Sequence, residues 1–107
     1  GKNSGVAAGK SSDGVRDARP LASHNAPPRY PDFARRQGWQ GVVLVRVVVR
    51  SDGKVKTASL FRGSGYSVLD QAALEAVRRW LFQPKTSGGL AVESTIEVPV
   101  TFSLRKA

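Results

Sequence analysis

Few residues of this chain have the types and spacing that bond-making chemistry needs. His24 is the single histidine, so neither a nucleophile–base pair nor a histidine-rich metal site has material. There are no cysteines, which removes disulfides and thiolate metal ligands. The "GSG" at 63–65 lacks the G-x-S-x-G spacing of a nucleophile elbow and reads as a turn before a helix. Asp70 and Glu75 are five residues apart on a stretch of helical period and do not face each other as an acid–base pair. No glycine-rich phosphate loop is present. The residues therefore point away from an enzyme and imply no cofactor and no metal.

What remains is the hydrogen-bonding chemistry of the main chain, and one segment presents it. In "VESTIEVPVTFSL", Ile96, Val98, Val100, Phe102 and Leu104 alternate with Glu97, Pro99, Thr101 and Ser103. A period of two marks a strand with one buried face. Pro99 lacks an N–H and is excluded from central strands, so this strand is expected at a sheet edge with Pro99 facing outward. Neighbouring residues alternate in the direction of their N–H and C=O groups, so Thr95, Glu97, Thr101 and Ser103 share that open side. Such a row is a template for another chain. Pro99 and Glu97 either block it against aggregation or limit self-pairing at an edge that accepts a partner strand. Periodicity alone leaves both readings open.

Other elements must hold that edge. "PPRYPDFARRQGWQG" predicts a short helix with Pro31 at its first position and Gly38 as left-handed C-terminal cap. So short a helix needs Tyr30, Phe33 or Trp39 packed on something larger. "GVVLVRVVVRSDGKVKTASLFRGSG" predicts a hairpin turning at Asp52-Gly53. Val43, Val45, Val47 and Val49 form one face of its first strand and Leu44, Arg46, Val48 and Arg50 a mixed other face. Val55 falls one residue out of phase with Ala58 and Leu60, as a bulge or a loose strand entry would place it. "SVLDQAALEAVRRWLFQP" predicts a long helix with a capping-box-like start at Ser67 and Asp70. Its apolar stripe is Leu69, Ala73, Ala76, Val77 and Trp80, and Pro84 ends it. "KTSGGLA" then reads as a loop. The expected fold is α+β: a three-stranded antiparallel sheet, ordered second–first–third, with two helices packed on one face.

Length and composition set the limits. The 107 residues suit one domain. Residues 1–26 have few large apolar side chains and no sustained period, and read as a flexible leader or linker; residues 27–107 hold the foldable domain. No apolar run reaches the roughly 18 residues that span a bilayer, and no signal peptide is expected at the start. Seventeen Lys and Arg against eight Asp and Glu give a formal charge of +9. The cations are dispersed rather than blocked, which favours a solvated basic surface over a nucleic-acid footprint. Trp39 and Trp80 are expected in the core. Arg78 and Arg79 suit the negative end of the long helix, or acidic groups of a partner.

The ordered set of features resembles a known family. Tyr30-Pro31 before Ala34-Arg35, Gly41 before the alternating strand and Asp52-Gly53 come first. Leu69-Asp70 with Ala73 and Ala76 follow, then Arg79-Trp80, Phe82, Pro84 and finally Val98-Pro99-Val100 with Phe102. From Arg29 to Leu104 these resemble the C-terminal domain of TonB, the energy transducer of Gram-negative bacteria. The resemblance implies a periplasmic domain of a protein anchored in the inner membrane, working with ExbB and ExbD through regions outside this chain. It implies capture of the TonB box of a TonB-dependent outer-membrane receptor by strand addition, coupling proton motive force to uptake of a siderophore, haem or similar nutrient. Carried onto this chain, the partner-binding residues are Arg29, Tyr30, Pro31, Thr95, Glu97, Val98, Pro99, Val100, Thr101 and Ser103. Pro27 stands where the family often has a glutamine, so a polar receptor contact is not implied there. The chain is expected to be a fragment. Peptidoglycan and a second copy of the chain are further candidate partners, and nucleic acid is not expected. The competing reading is a basic module that binds nucleic acid or cell-wall glycan.

Overall fold

A computed structural model describes residues 14–21 and 24–104. In chain order its elements are β1 (Val15–Arg16), β2 (Arg19–Pro20), α1 (Asp32–Gln37), β3 (Gly41–Val49), β4 (Val55–Arg62), α2 (Ser67–Arg78), β5 (Phe82–Gln83), β6 (Lys85–Ser87), β7 (Leu90–Val92) and β8 (Ser94–Phe102). The valine run of β3 makes it the natural centre, because β-branched side chains fill a pleated surface well. β3 pairs antiparallel with β4 on one side and β8 on the other, giving the order β4-β3-β8. This is the second–first–third arrangement read from the sequence.

Val43, Val45, Val47 and Val49 are fully buried on one face of β3. Burying each contributes about 1.5–3 kcal/mol. Val98, Val100 and Phe102 of β8 join them, as do Leu69, Ala73, Leu74 and Val77 of α2 and Ala34 of α1, in one cluster. Both helices therefore cover the same face. α1 ends at Gly38, left-handed at φ 73°, whose N–H donates to the carbonyls of Ala34 and Arg35. The β3–β4 turn has Gly53 at φ 86°. The ladder beyond it shifts register between Val55 and Thr57, which is the irregularity that Val55 announces in the sequence.

α2 ends at Arg78, well short of the Pro84 expected to stop it, and Trp80 of the expected stripe lies beyond it. Three further features differ from the sequence reading. α2 starts with Tyr66 as its N-cap and no side-chain cap bond, so Ser67 does not cap. Asp70 instead reaches back, and its Oδ1 accepts from both the N–H and the Oγ of Ser64, each at 2.9 Å. The carboxylate fixes the turn before the helix rather than the helix's own first amides. "KTSGGLA" is not a loop: β6 and β7 form a hairpin across Gly88 and Gly89, at φ 59° and 84°. Two successive glycines supply the positive φ that a tight hairpin turn needs.

The third concerns residues read as leader. β1 pairs antiparallel with β6, and β2 with β5. Ala18, between them, is buried in the core. Main-chain pairing of this kind leaves no side-chain period to read. Residues 1–13, 22 and 23 of that segment lie outside the described residues.

Candidate functional site

The site follows from how β8 is held. Nine consecutive pairs, from Gly41 opposite Phe102 to Val49 opposite Ser94, run without a register shift. Val98, Val100 and Phe102 are buried, whereas Glu97, Pro99 and Thr101 are exposed. Pro99 lies opposite Leu44. In an unbroken antiparallel ladder a proline fits only at a pair that exchanges no N–H···O bonds. The backbone groups of Thr95, Glu97 and Thr101 are in phase with Pro99 and therefore face away from β3. Leu104 continues the opposite phase past the strand, its N–H donating to Gln40 Oε1 at 2.7 Å. Among the described residues, no strand pairs with the outer side of β8.

The opposite edge, β4, is less regular. Its ladder with β3 shifts register twice, and α2 packs against it. An incoming strand needs evenly spaced donors and acceptors, which β8 presents and β4 interrupts.

On the sheet face away from the helices, Arg46 Nε donates to Glu97 Oε2 at 3.1 Å. The same guanidinium lies 4.3 Å from the ring centre of Phe61, the residue passed over at one register shift. The shift turns Phe61 toward Arg46 and so ties both edge strands to one central cation. Neither Phe61 nor Gln40 carries a sequence signal for this role.

Of the ten residues expected at the site, the structure brings most to one strand. Thr95, Glu97, Pro99 and Thr101 lie along β8 with their side chains exposed, and Ser103 follows one residue beyond it. Val98 and Val100 are on the same strand but point into the core. They set the strand's position and offer no side chain to a partner. Tyr30 packs edge-on against Phe102, with ring centres 5.3 Å apart, and its hydroxyl donates to the Trp39 carbonyl. Pro31 is the N-cap of α1 rather than its first helical residue, with extended backbone at ψ 134°, and its carbonyl accepts from Arg35. Tyr30 and Pro31 thus sit at the Phe102 end of β8.

Arg29 is placed differently. It lines a groove of about 810 Å³ between residues 24–32 and α2, with Glu75, Arg79 and Trp80 on the helix side. The tryptophans serve packing: Trp39 stacks on Tyr66 at 4.6 Å, and Trp80 Nε1–H donates to the Ala26 carbonyl at 2.7 Å. His24 lines the same groove. Among the described residues, no group of three or more His, Cys, Asp or Glu side chains lies close enough to hold a metal.

Known proteins share these features. The family model for the Gram-negative bacterial TonB protein C-terminal matches residues 26–104. Protein tonB2 of Pseudomonas aeruginosa is 43% identical over 81 residues, which cover 76% of this chain and 30% of that protein. Protein TonB of Vibrio cholerae serotype O1 is 36% identical over 88 residues, 82% of this chain and 36% of that protein. The chain therefore spans about a third of the length of these relatives. Among solved structures, the solution NMR structure of the Pseudomonas aeruginosa TonB CTD superposes with a TM-score of 0.67 at 28% identity, covering 85% of this chain and 90% of that one. A Helicobacter pylori TonB-CTD structure superposes with a TM-score of 0.56 at 26% identity, covering 75% of this chain and 72% of that one. The match runs from the segment leading into Tyr30 to the end of the edge strand, and on that extent the chain belongs to the TonB C-terminal family.

Proposed function

We propose that this domain captures an extended segment of a TonB-dependent outer-membrane receptor by adding it as a strand to the outer side of β8. In this reading it is the periplasmic domain of an inner-membrane-anchored energy transducer. Work from ExbB and ExbD reaches it through the rest of that protein and is passed to the receptor to drive nutrient uptake. The observation that carries the reading is the unbroken β3–β8 ladder, which leaves a regular outer row on β8 interrupted only at Pro99. Main-chain bonds supply affinity in strand addition, and alternate side chains supply choice. Here those side chains are Thr95, Glu97 and Thr101, with Tyr30 and Pro31 at the far end of the strand. Several hydrogen bonds loaded together along a paired strand resist a pull better than one side-chain contact.

The test is a titration with a TonB-box peptide followed by backbone chemical shifts. The amides of Thr95, Glu97, Thr101 and Ser103 are expected to move, and those on the solvent face of α2 to stay. Equal affinity for a scrambled peptide, or shifts centred on the β4 edge, would sink the reading.

A further inference from the structure

Residues 15–21 run antiparallel beside residues 81–87 in a single register, and Asn25 and Ala26 bond Leu81 and Trp80 outside it. Val15 faces Ser87, Arg16 faces Thr86, Arg19 faces Gln83 and Pro20 faces Phe82. The gap in the ladder falls at Pro84, which has no N–H to give. Beyond the ladder, Leu21 N–H donates to the Leu81 carbonyl at 3.0 Å. Asn25 closes on the same residue from both sides: its Nδ2 donates to the Leu81 carbonyl at 2.9 Å, and its Oδ1 accepts the Leu81 N–H at 2.7 Å. At the other end Gly88 N–H donates to the Gly14 carbonyl at 2.9 Å.

This segment is held differently from the core. Of its described residues only Ala18 is buried, and Val15 is 64% exposed. Fixing a residue's backbone costs about as much as one net hydrogen bond returns. A strap held by main-chain bonds, the side-chain bonds of Asn25 and Trp80 and one small buried side chain therefore lies at the low-stability end of the molecule. The β3 valines lie at the other. The residues that follow the strap are anchored firmly: Tyr30 packs on Phe102 and bonds the Trp39 carbonyl.

We propose that residues 14–21 together with 24–26 are a strap that undocks from residues 80–88 as one unit while the core stays folded. Its release frees up to roughly 40 Å of extended chain. Tension from the N-terminal side then meets the fold at Tyr30, which sits on β8 itself. The mechanical consequence rests on the proposed receptor coupling, because it places the anchor of the tether and the docking edge on the same strand. The undocking equilibrium does not depend on that coupling and is measured without any peptide.

The experiment is native-state hydrogen exchange on the whole chain and on Asn25→Ala. In the unsubstituted chain the amides of Leu21 and Gly88 are expected to exchange faster than those of Val45 and Val47, with little dependence on denaturant. Asn25→Ala removes two bonds and is expected to speed Leu21 and Gly88 by the same factor, roughly tenfold, leaving Val45 and Val47 unchanged. Gly88 lies at the opposite end of the strap, so an equal factor there marks a cooperative unit. Three results overturn the proposal: strap and β3 amides sharing one opening free energy, Gly88 unmoved by Asn25→Ala, or strap amides exchanging at the rate of unstructured chain.

Discussion

Pro99 is where a single residue decides how the β8 edge behaves. It makes no ladder bond to β3, so replacing it leaves the sheet's pairing intact; Pro99→Ala restores one outward N–H. If two copies then paired edge to edge about a two-fold axis, that bond would form twice, worth about 1–3 kcal/mol. Pro99→Ala is therefore expected to remain folded but to self-associate at least several-fold more strongly, as read by sedimentation equilibrium. It should also bind a TonB-box peptide more tightly, by about 0.5–1.5 kcal/mol. A variant with unchanged self-association and unchanged peptide affinity would show that the nitrogen of residue 99 does not face the open side. Glu97 is a contrasting case. Its pair with Arg46 is half exposed on both sides, at 42% and 47%. Such pairs contribute little, so Glu97→Gln should lower stability by less than about 1 kcal/mol in urea denaturation. A larger loss would mean that the Phe61–Arg46–Glu97 stack acts as a unit.

At the scale of elements, two glycines that look alike in sequence separate in structure. Gly38 and Gly53 both have positive φ, at 73° and 86°. A side chain on Gly38 meets open space, whereas one on Gly53 would run into the Phe82 carbonyl. Gly53 also accepts the Phe82 N–H at 2.8 Å, which fixes β5 to the β3–β4 turn. Gly38→Ala is expected to cost about 1–2 kcal/mol, the price of a left-handed alanine. Gly53→Ala adds a backbone collision and should cost about 2–4 kcal/mol. Equal shifts in urea midpoint would contradict this difference. The comparison also shows what is legible in the residues. The β3 valines, the stripe of Leu69, Ala73 and Val77, the Gly38 cap and the out-of-phase Val55 declare themselves, because each acts through its own side chain or its lack of one. The edge position of β8 was readable from Pro99 for the same reason. The β1 and β2 pairings, the approach of Gly53 to Phe82 and the reach of Asp70 back to Ser64 were not. They depend on which backbone atoms from distant segments meet, and periodicity carries no record of that. Gly88-Gly89 did carry a turn signal, but the strands beside it are too short to show alternation.

On the scale of the whole molecule, the formal charge of +9 poses a question that the edge geometry alone does not answer. A basic surface raises the local concentration of any acidic partner and speeds its arrival. It need not hold that partner. Strand addition along β8 joins neutral peptide groups, so salt should affect the association rate more than the final affinity. For a neutral TonB-box peptide, the dissociation constant is expected to change by less than about threefold between 50 and 200 mM salt. A nucleic-acid ligand behaves otherwise: a protein making 6–10 phosphate contacts loses roughly 10³–10⁵ in affinity over that range. The arrangement of charge favours the first outcome, because the cations are dispersed along the chain rather than blocked, and Arg35, Arg46, Arg50 and Lys56 each have a carboxylate beside them at the surface. Calorimetric titration of the peptide and of a DNA duplex at both salt concentrations separates the cases. Tight DNA binding that persists at 200 mM, beside a peptide that fails to bind at either concentration, would move the function from the β8 edge to the cationic surface.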